Sequence, residues 1–202
     1  MSKNTPKGLF SPELRTASIV PRWSIVRTVQ DDFVAGHSFY VAIYARDVAH
    51  LLGWTGPKFE LVYVALTHDL DELITGDIVS PVKKHIIDED RAASFVDSRM
   101  RQRVPGVMDE LNRISEGLNE IWLDQIDAII RVADRFDAAV FIATELRVGN
   151  KGLEGLFTRA KKVLESSWRA ITWVDKDSLS ELWATVLLPA IDAHLTDGGE
   201  GL

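Results

Sequence analysis

Apolar residues recur at helical spacing along nearly the whole chain, and no stretch alternates apolar with polar residues over a useful length. The pattern predicts an all-α protein, one compact helical bundle with essentially no β-sheet. Ser11-Pro12-Glu13 reads as a helix start, with a capping hydroxyl, proline at the first helical position and an acid in the first turn. That helix should run to about Val20 and stop before Pro21. A polar connection from Pro21 to Asp32 holds Arg22, Trp23 and Arg27. Asp32 is placed to cap a second helix, Phe33 to Leu52, which Gly53 ends. A third, apolar on several faces, starts near Pro57 and runs through His68-Asp69 to Ile74, where Thr75-Gly76-Asp77 breaks it. Ser80 to Lys84 reads as loop. Charged helical segments follow over 88–103 and 107–117. A long helix from Asn119 to Val148 carries the stripe Ile126, Ile129, Ile130, Ala133, Phe136 and Val140, and Gly149-Asn150 closes it. Helices over 153–168 and 178–195 finish the chain.

Composition narrows the function classes. A chain of 202 residues with 46% apolar and 26% charged residues suits one well-buried core. We therefore expect a single domain over 1–202, with a core of about 10–195 and loose termini. The net charge of −7 repels a phosphate backbone, so a nucleic-acid polymer is a poor partner, although a local cationic pocket can still take a small phosphate. No cysteine is present. That removes disulfides, thiolate metal sites and cysteine nucleophiles, and it fits the cytoplasm. The N-terminal residues do not read as a secretory signal, and no segment approaches the ~20 apolar residues of a membrane helix.

Against this background a few polar residues on apolar helices stand out. His37 lies among Val34, Phe39, Val41 and Ile43; His68 and Asp69 end a strongly apolar run; Asp134 sits within Ile129 to Phe136. A buried carboxylate without a partner is costly, so each must be satisfied by something. Taken singly, each has an ordinary reading: a hydrogen-bonded core histidine, a chance His-Asp pair, an aspartate paired with Arg131 or Arg135. Together, two imidazoles and two carboxylates from three helices can converge on one divalent ion among Mn, Co, Zn, Fe, Ni and Mg. Such ligands must be deprotonated, so affinity should weaken in acid. Glu72, four residues beyond His68, would share its helix face and could move a proton to or from an attacking water. Glu72 could instead be a solvated helix end, although acids there oppose the helix dipole. Arg22, Lys83 and Lys84 occupy loops, where binding groups are commonly carried. Arg can grip a phosphate bidentately and Lys can add a point charge. Trp23 could wall off a sugar or base, or simply fold its loop onto the core.

At these residues the chain resembles a known family. His37, His68-Asp69 and Asp134 follow the H…HD…D order of the HD phosphohydrolases. Arg22-Trp23, Gly36-His37-Ser38, the run His68 to Asp77, Pro81-Val82-Lys83 and Val132-Ala133-Asp134 resemble, more narrowly, the bacterial 5′-deoxynucleotidases of the YfbR type, over roughly residues 10 to 195. The resemblance implies an HD-type bundle, usually a homodimer. It implies His37, His68, Asp69 and Asp134 as ligands of one metal, Glu72 assisting the water and Asp77 orienting water or substrate. Arg22 would contact phosphate, and Trp23 would sit where a 2′-hydroxyl would go. The implied reaction is metal-dependent hydrolysis of deoxynucleoside 5′-monophosphates. Some phage relatives instead release triphosphate from deoxyadenosine triphosphate, and Lys83, Lys84 and Arg27 would suit that longer chain. The same residues are also compatible with a non-catalytic HD binding module or a purely structural bundle. Two positions depart from the family: Gly36 stands where an acid precedes the first histidine, and Val79 where a proline is expected.

Overall fold

The computed structural model describes residues 11–78 and 89–196. Lys83, Lys84 and Val79, like both chain ends expected to be loose, lie outside the described residues. The architecture is all-α. A 3-10 helix, Pro12–Ser18, is followed by α1 (Val34–Leu51), α2 (Lys58–Thr67), α3 (Glu72–Thr75), α4 (Glu89–Arg103), α5 (Pro105–Gly117) and α6 (Glu120–Arg147). Then come α7 (Glu154–Arg169), α8 (Lys176–Leu182), a π-helical turn over Trp183–Leu187 and α9 (Leu188–Asp192). The described residues form no strand, only an isolated antiparallel bridge between Pro21 and Phe33.

The bundle is organised around α1 and α6, which pack against each other along their lengths, with α2 against α1 and α7 against α6. The pair is antiparallel. Residues 29 and 30, just before α1, bond Glu145 near the end of α6, His37 faces Asp137, and Trp54, beyond α1, bonds Gln125 near the start of α6. Small residues let the two helices approach: Ala42, Ala45 and Ala49 on α1, with Ala133, Ala139 and Ala143 on α6, are buried. The isoleucines Ile126, Ile129 and Ile130 fill the layer around them. Each such side chain taken out of water contributes about 1.5–3 kcal/mol. Trp168 is fully buried on α7, where its indole N–H donates to Leu179 O at 2.7 Å. A second apolar cluster, Ala17, Val34, Leu70, Leu73, Met100 and Val104, ties the 3-10 helix, α3 and α4 to the start of α1.

Several elements differ from the sequence reading. The first helix is a 3-10 turn that ends at Ser18, and Ser11 makes no side-chain capping bond. Phe33, not Asp32, is the residue that precedes α1, because the Asp32 carboxylate is drawn instead to Arg22 and Trp23. The third helix does not run through to Ile74. It ends at Thr67 and the backbone passes through tight turns, with Leu70 N–H donating to Thr67 O and Glu72 N–H to Asp69 O, before α3. The last helix is interrupted by the π turn. Pro189, with no N–H, cannot extend the ladder, and the wider turn before it accommodates the ring. Gly53 (φ 61°) ends α1 in the left-handed conformation expected of it.

Candidate metal centre and active site

Three elements bring the predicted ligands together. His37 closes the first turn of α1 and is fully buried. His68 and Asp69 come from the tight turns after α2, and Asp134 from the middle of α6. His37 Nε2 lies 3.3 Å from Asp69 Oδ2 and 3.3 Å from Asp134 Oδ1. His68 Nε2 is 3.3 Å from the same Asp69 oxygen, and the two imidazole rings are 5.2 Å apart. One ligand atom from each of His37, His68 and Asp69 falls within 4.8 Å of the others. Asp134 stands at the edge of this trio, its side chain 39% exposed, so the mouth of the site opens on that side. The break after Thr67 has a purpose here, since it lets His68 and Asp69, adjacent in sequence, face one point.

Acceptors crowd the interior of the cluster. His68 Nδ1 lies 2.8 Å from Ala65 O, a carbonyl that can only accept. The ring proton therefore sits on Nδ1, and Nε2 presents a lone pair to the centre. Neither His37 Nε2 nor His68 Nε2, both buried, makes a hydrogen bond. Such crowding of acceptors favours positive charge. Burial alone would lower the pKa of His37, but the carboxylates of Asp134, Asp137 and Asp69 outweigh it and raise the pKa from 6.5 to about 10. Burial would raise that of Asp69, yet His37, His68 and Arg22 hold it at about 2. Imidazole nitrogens and carboxylate oxygens converging on one point fit a divalent transition ion.

The remaining candidates surround this centre. Arg22 Nη1 donates to Asp32 Oδ2 at 3.1 Å and lies 3.7 Å from Asp137 Oδ2. Trp23 adopts φ 63°, unusual for a bulky residue. That conformation costs about 1–3 kcal/mol. It is held by an indole N–H bond to Asp32 Oδ2 at 3.0 Å and by stacking on Phe141, ring centroids 5.2 Å apart. Asp77 comes beside the same loop: Ser24 N–H points to its Oδ2 at 3.5 Å, and Ser24 Oγ to its carbonyl at 3.4 Å. Glu72 is buried at the start of α3, not one continuous helical turn beyond His68. Arg27 is exposed. Arg131, offered as a partner for Asp134, instead pairs with Asp127.

Two acids that sequence reasoning passed over matter here. Asp137 bonds His37 Nδ1 at 2.7 Å. Its spacing of three from Asp134 places both on one helix face, and that was the signal available. Glu145, fully buried, accepts from Val29 N–H at 2.6 Å, Gln30 N–H at 2.8 Å and Asn150 Nδ2 at 2.8 Å. Asn150 also donates to Arg27 O at 2.9 Å. The loop carrying Arg22 and Trp23 is thus pinned at its far end to α6.

The chain is similar to known proteins over most of its length. Among solved structures, the chain is similar in fold to the cyanophage S-2L HD phosphohydrolase DatZ, described as bound to dA and one catalytic Zn2+ ion. The TM-score is 0.62 at 22% identity, over 90% of this chain and 95% of that one. A protein of Pyrococcus horikoshii is similar with a TM-score of 0.57 at 22% identity, over 90% and 96% of the two chains. Among curated proteins, 5′-deoxynucleotidase YfbR of Salmonella paratyphi B and that of Salmonella enteritidis are each 29% identical over 165 residues, 77% of this chain and 82% of theirs. The family described as 5′-deoxynucleotidase YfbR-like matches residues 10–180. With most of its length matched, the chain belongs to the YfbR-like 5′-deoxynucleotidase family.

Proposed function

We propose that this protein hydrolyses deoxynucleoside 5′-monophosphates to deoxynucleoside and phosphate, with His37, His68, Asp69 and Asp134 holding one divalent ion. As a member of its family it is a metal-dependent phosphohydrolase acting on deoxynucleotides. The observation that carries the ligand assignment is the pair of buried imidazole Nε2 atoms, both 3.3 Å from Asp69 Oδ2 and without a hydrogen bond. A divalent ion there supplies Lewis acidity, lowering the pKa of water and polarising a phosphoryl oxygen.

The chain's own groups do the rest. Arg22, largely withdrawn from solvent between Asp32 and Asp137, presents a fixed guanidinium to the phosphate and offsets charge that grows on its oxygens during attack. Glu72 takes the proton of the attacking water and can return it to the departing 5′-oxygen. Asp77, beside Ser24, orients the water or the substrate from the loop's other face. Trp23, locked by Asp32 and Phe141, occupies fixed volume next to Arg22, which supports its role in excluding a 2′-hydroxyl. Lys83 and Lys84 would add positive charge for the phosphate end. No helix among the described residues is long and apolar enough to cross a membrane. Family membership and the cysteine-free composition support a cytoplasmic enzyme, and family habit supports a homodimer.

The test is a substrate panel crossing ribo with deoxyribo and mono- with triphosphate, run with Mn, Co and Zn. Phosphate release from dAMP, much faster than from AMP, is expected. Triphosphate release from dATP without action on dAMP would replace the monophosphate reading. No release from any substrate with any metal would end the enzyme reading, and equal rates on AMP and dAMP would remove the role given to Trp23. Light scattering on the same preparation checks the dimer.

A further inference from the structure

Asp134 and Asp137 stand one turn apart on α6 and address opposite nitrogens of a single ring. Asp134 Oδ1 is 3.3 Å from His37 Nε2, whereas Asp137 Oδ2 is 2.7 Å from His37 Nδ1. Sequence spacing could not say which of the two acids belongs with the ligands; the ring orientation does. Nε2 turns toward His68 and Asp69, so Asp137 lies behind the imidazole, away from the centre.

We propose that Asp137 is a positioning residue, which keeps the proton of His37 on Nδ1 and so leaves Nε2 as a lone pair for the metal. This rests on the metal reading of the site given above. Three observations support it. An ionised carboxylate only accepts, so a 2.7 Å contact to Nδ1 requires the proton there. Asp137 is 5% exposed and His37 0%, so water cannot substitute for either partner. And among the described residues the hydrogen bond at Nδ1 is made by Asp137. Gly36, standing where the resembled family carries an acid, has no side chain, and open space surrounds it. The chain thus supplies from α6 an anion that it lacks on α1. The same Asp137 oxygen is 3.7 Å from Arg22 Nη1, so one carboxylate steadies both the ligand ring and the arginine given to the phosphate. A carboxylate behind a ligating histidine orients the ring and raises its basicity, and losing one typically weakens metal affinity 10- to 100-fold.

The experiment compares Zn affinity, by competition with a chromophoric chelator, in the full-length wild type, Asp137→Asn and Asp127→Asn. The last removes one exposed acid from the same helix as a charge control. The expected result is binding weaker by roughly 10- to 100-fold in Asp137→Asn and unchanged within about twofold in Asp127→Asn. Long-range 1H–15N spectra of the Zn-loaded wild type give an independent readout that needs no variant to fold. His37 should carry its proton on Nδ1, with Nε2 shifted by coordination. Zn bound equally well by Asp137→Asn, or a His37 ring protonated at Nε2, would overturn the assignment while leaving the metal site standing. A wild type that binds no Zn, Co or Mn would instead overturn the metal reading itself, and this inference with it.

Discussion

Helix α6 carries buried acids at two levels, and their surroundings differ in kind. Near its C-terminal end Glu145 meets three N–H donors and nothing negative. Three turns earlier, around Asp134, the neighbours are Asp69, Asp137 and imidazole nitrogens without hydrogen bonds. Glu145 is complete within the chain; the cluster around His37 is not, because its acceptors outnumber its donors. A buried polar group that finds all its partners in the protein stabilises a conformation. A set of carboxylates and imidazole nitrogens that faces inward unsatisfied is suited to hold a cation.

The largest expected effect breaks the unsatisfied side of this contrast. Asp69→Ala should abolish bound metal and lower kcat/KM for dAMP by more than roughly 10³-fold, beyond the cost of one lost hydrogen-bond donor. The melting temperature of the metal-free protein should fall slightly, because His37, His68 and Arg22 favour the ionised Asp69 carboxylate in the fold. Metal analysis and calorimetry check this. Retained metal with a large fall in stability would make Asp69 a structural residue like Glu145. Glu72→Gln should come next, lowering kcat by about 10²- to 10⁴-fold with metal content unchanged. Loss of metal together with activity would move Glu72 from proton transfer to ligation.

Glu145→Ala tests the satisfied side. It leaves the N–H groups of Val29 and Gln30 and the Asn150 amide without their acceptor, at about 1–3 kcal/mol for each that water cannot reach. We expect a loss of about 2–4 kcal/mol. Because the pinned loop carries Arg22 and Trp23, KM for dAMP should rise while metal affinity holds. Denaturant melts and steady-state kinetics separate the two. Weakened metal binding would mean that the loop anchor and the metal centre are coupled.

The helices of this fold were legible in sequence because their apolar residues repeat every three to four positions, and Gly53 and Gly149 mark real ends. What escaped is non-local. The apolar run continues past Thr67, so nothing in its periodicity announces the turns that aim His68 and Asp69. Asp32 satisfies every rule for a helix cap, yet Arg22 and Trp23, brought beside it by the Pro21–Phe33 bridge, offer a charged and a neutral donor that a cap would forgo. Nothing in the sequence marks Glu145, because two of its partners, Val29 and Gln30, lie more than a hundred residues upstream. The ligand candidates were visible for a converse reason, since polar residues that interrupt an apolar stripe are expensive unless used.

The smallest effect concerns proton linkage at Glu145, and its sign is fixed by the geometry. Burial would raise the pKa of this carboxyl, but the bonds from Asn150, Val29 and Gln30 outweigh it and hold it below the ordinary 4.5. Between the folded value and 4.5 the unfolded chain binds more protons, so stability rises with pH in that window. Glu145's contribution is therefore full above about 4.5 and is lost as the pH falls through the lower, folded value. Glu145→Gln cannot titrate, and its amide keeps one acceptor oxygen for the loop. The stability difference between wild type and Glu145→Gln should be constant from pH 7 to about 5, then shrink below 4.5. Urea melts across that range measure it in the metal-free protein, where proton competition at the ligands applies equally to both chains. A difference that instead grows on acidification would mean that Glu145 is held protonated, and the contrast between a satisfied and an unsatisfied acid on α6 would fail at its simpler end.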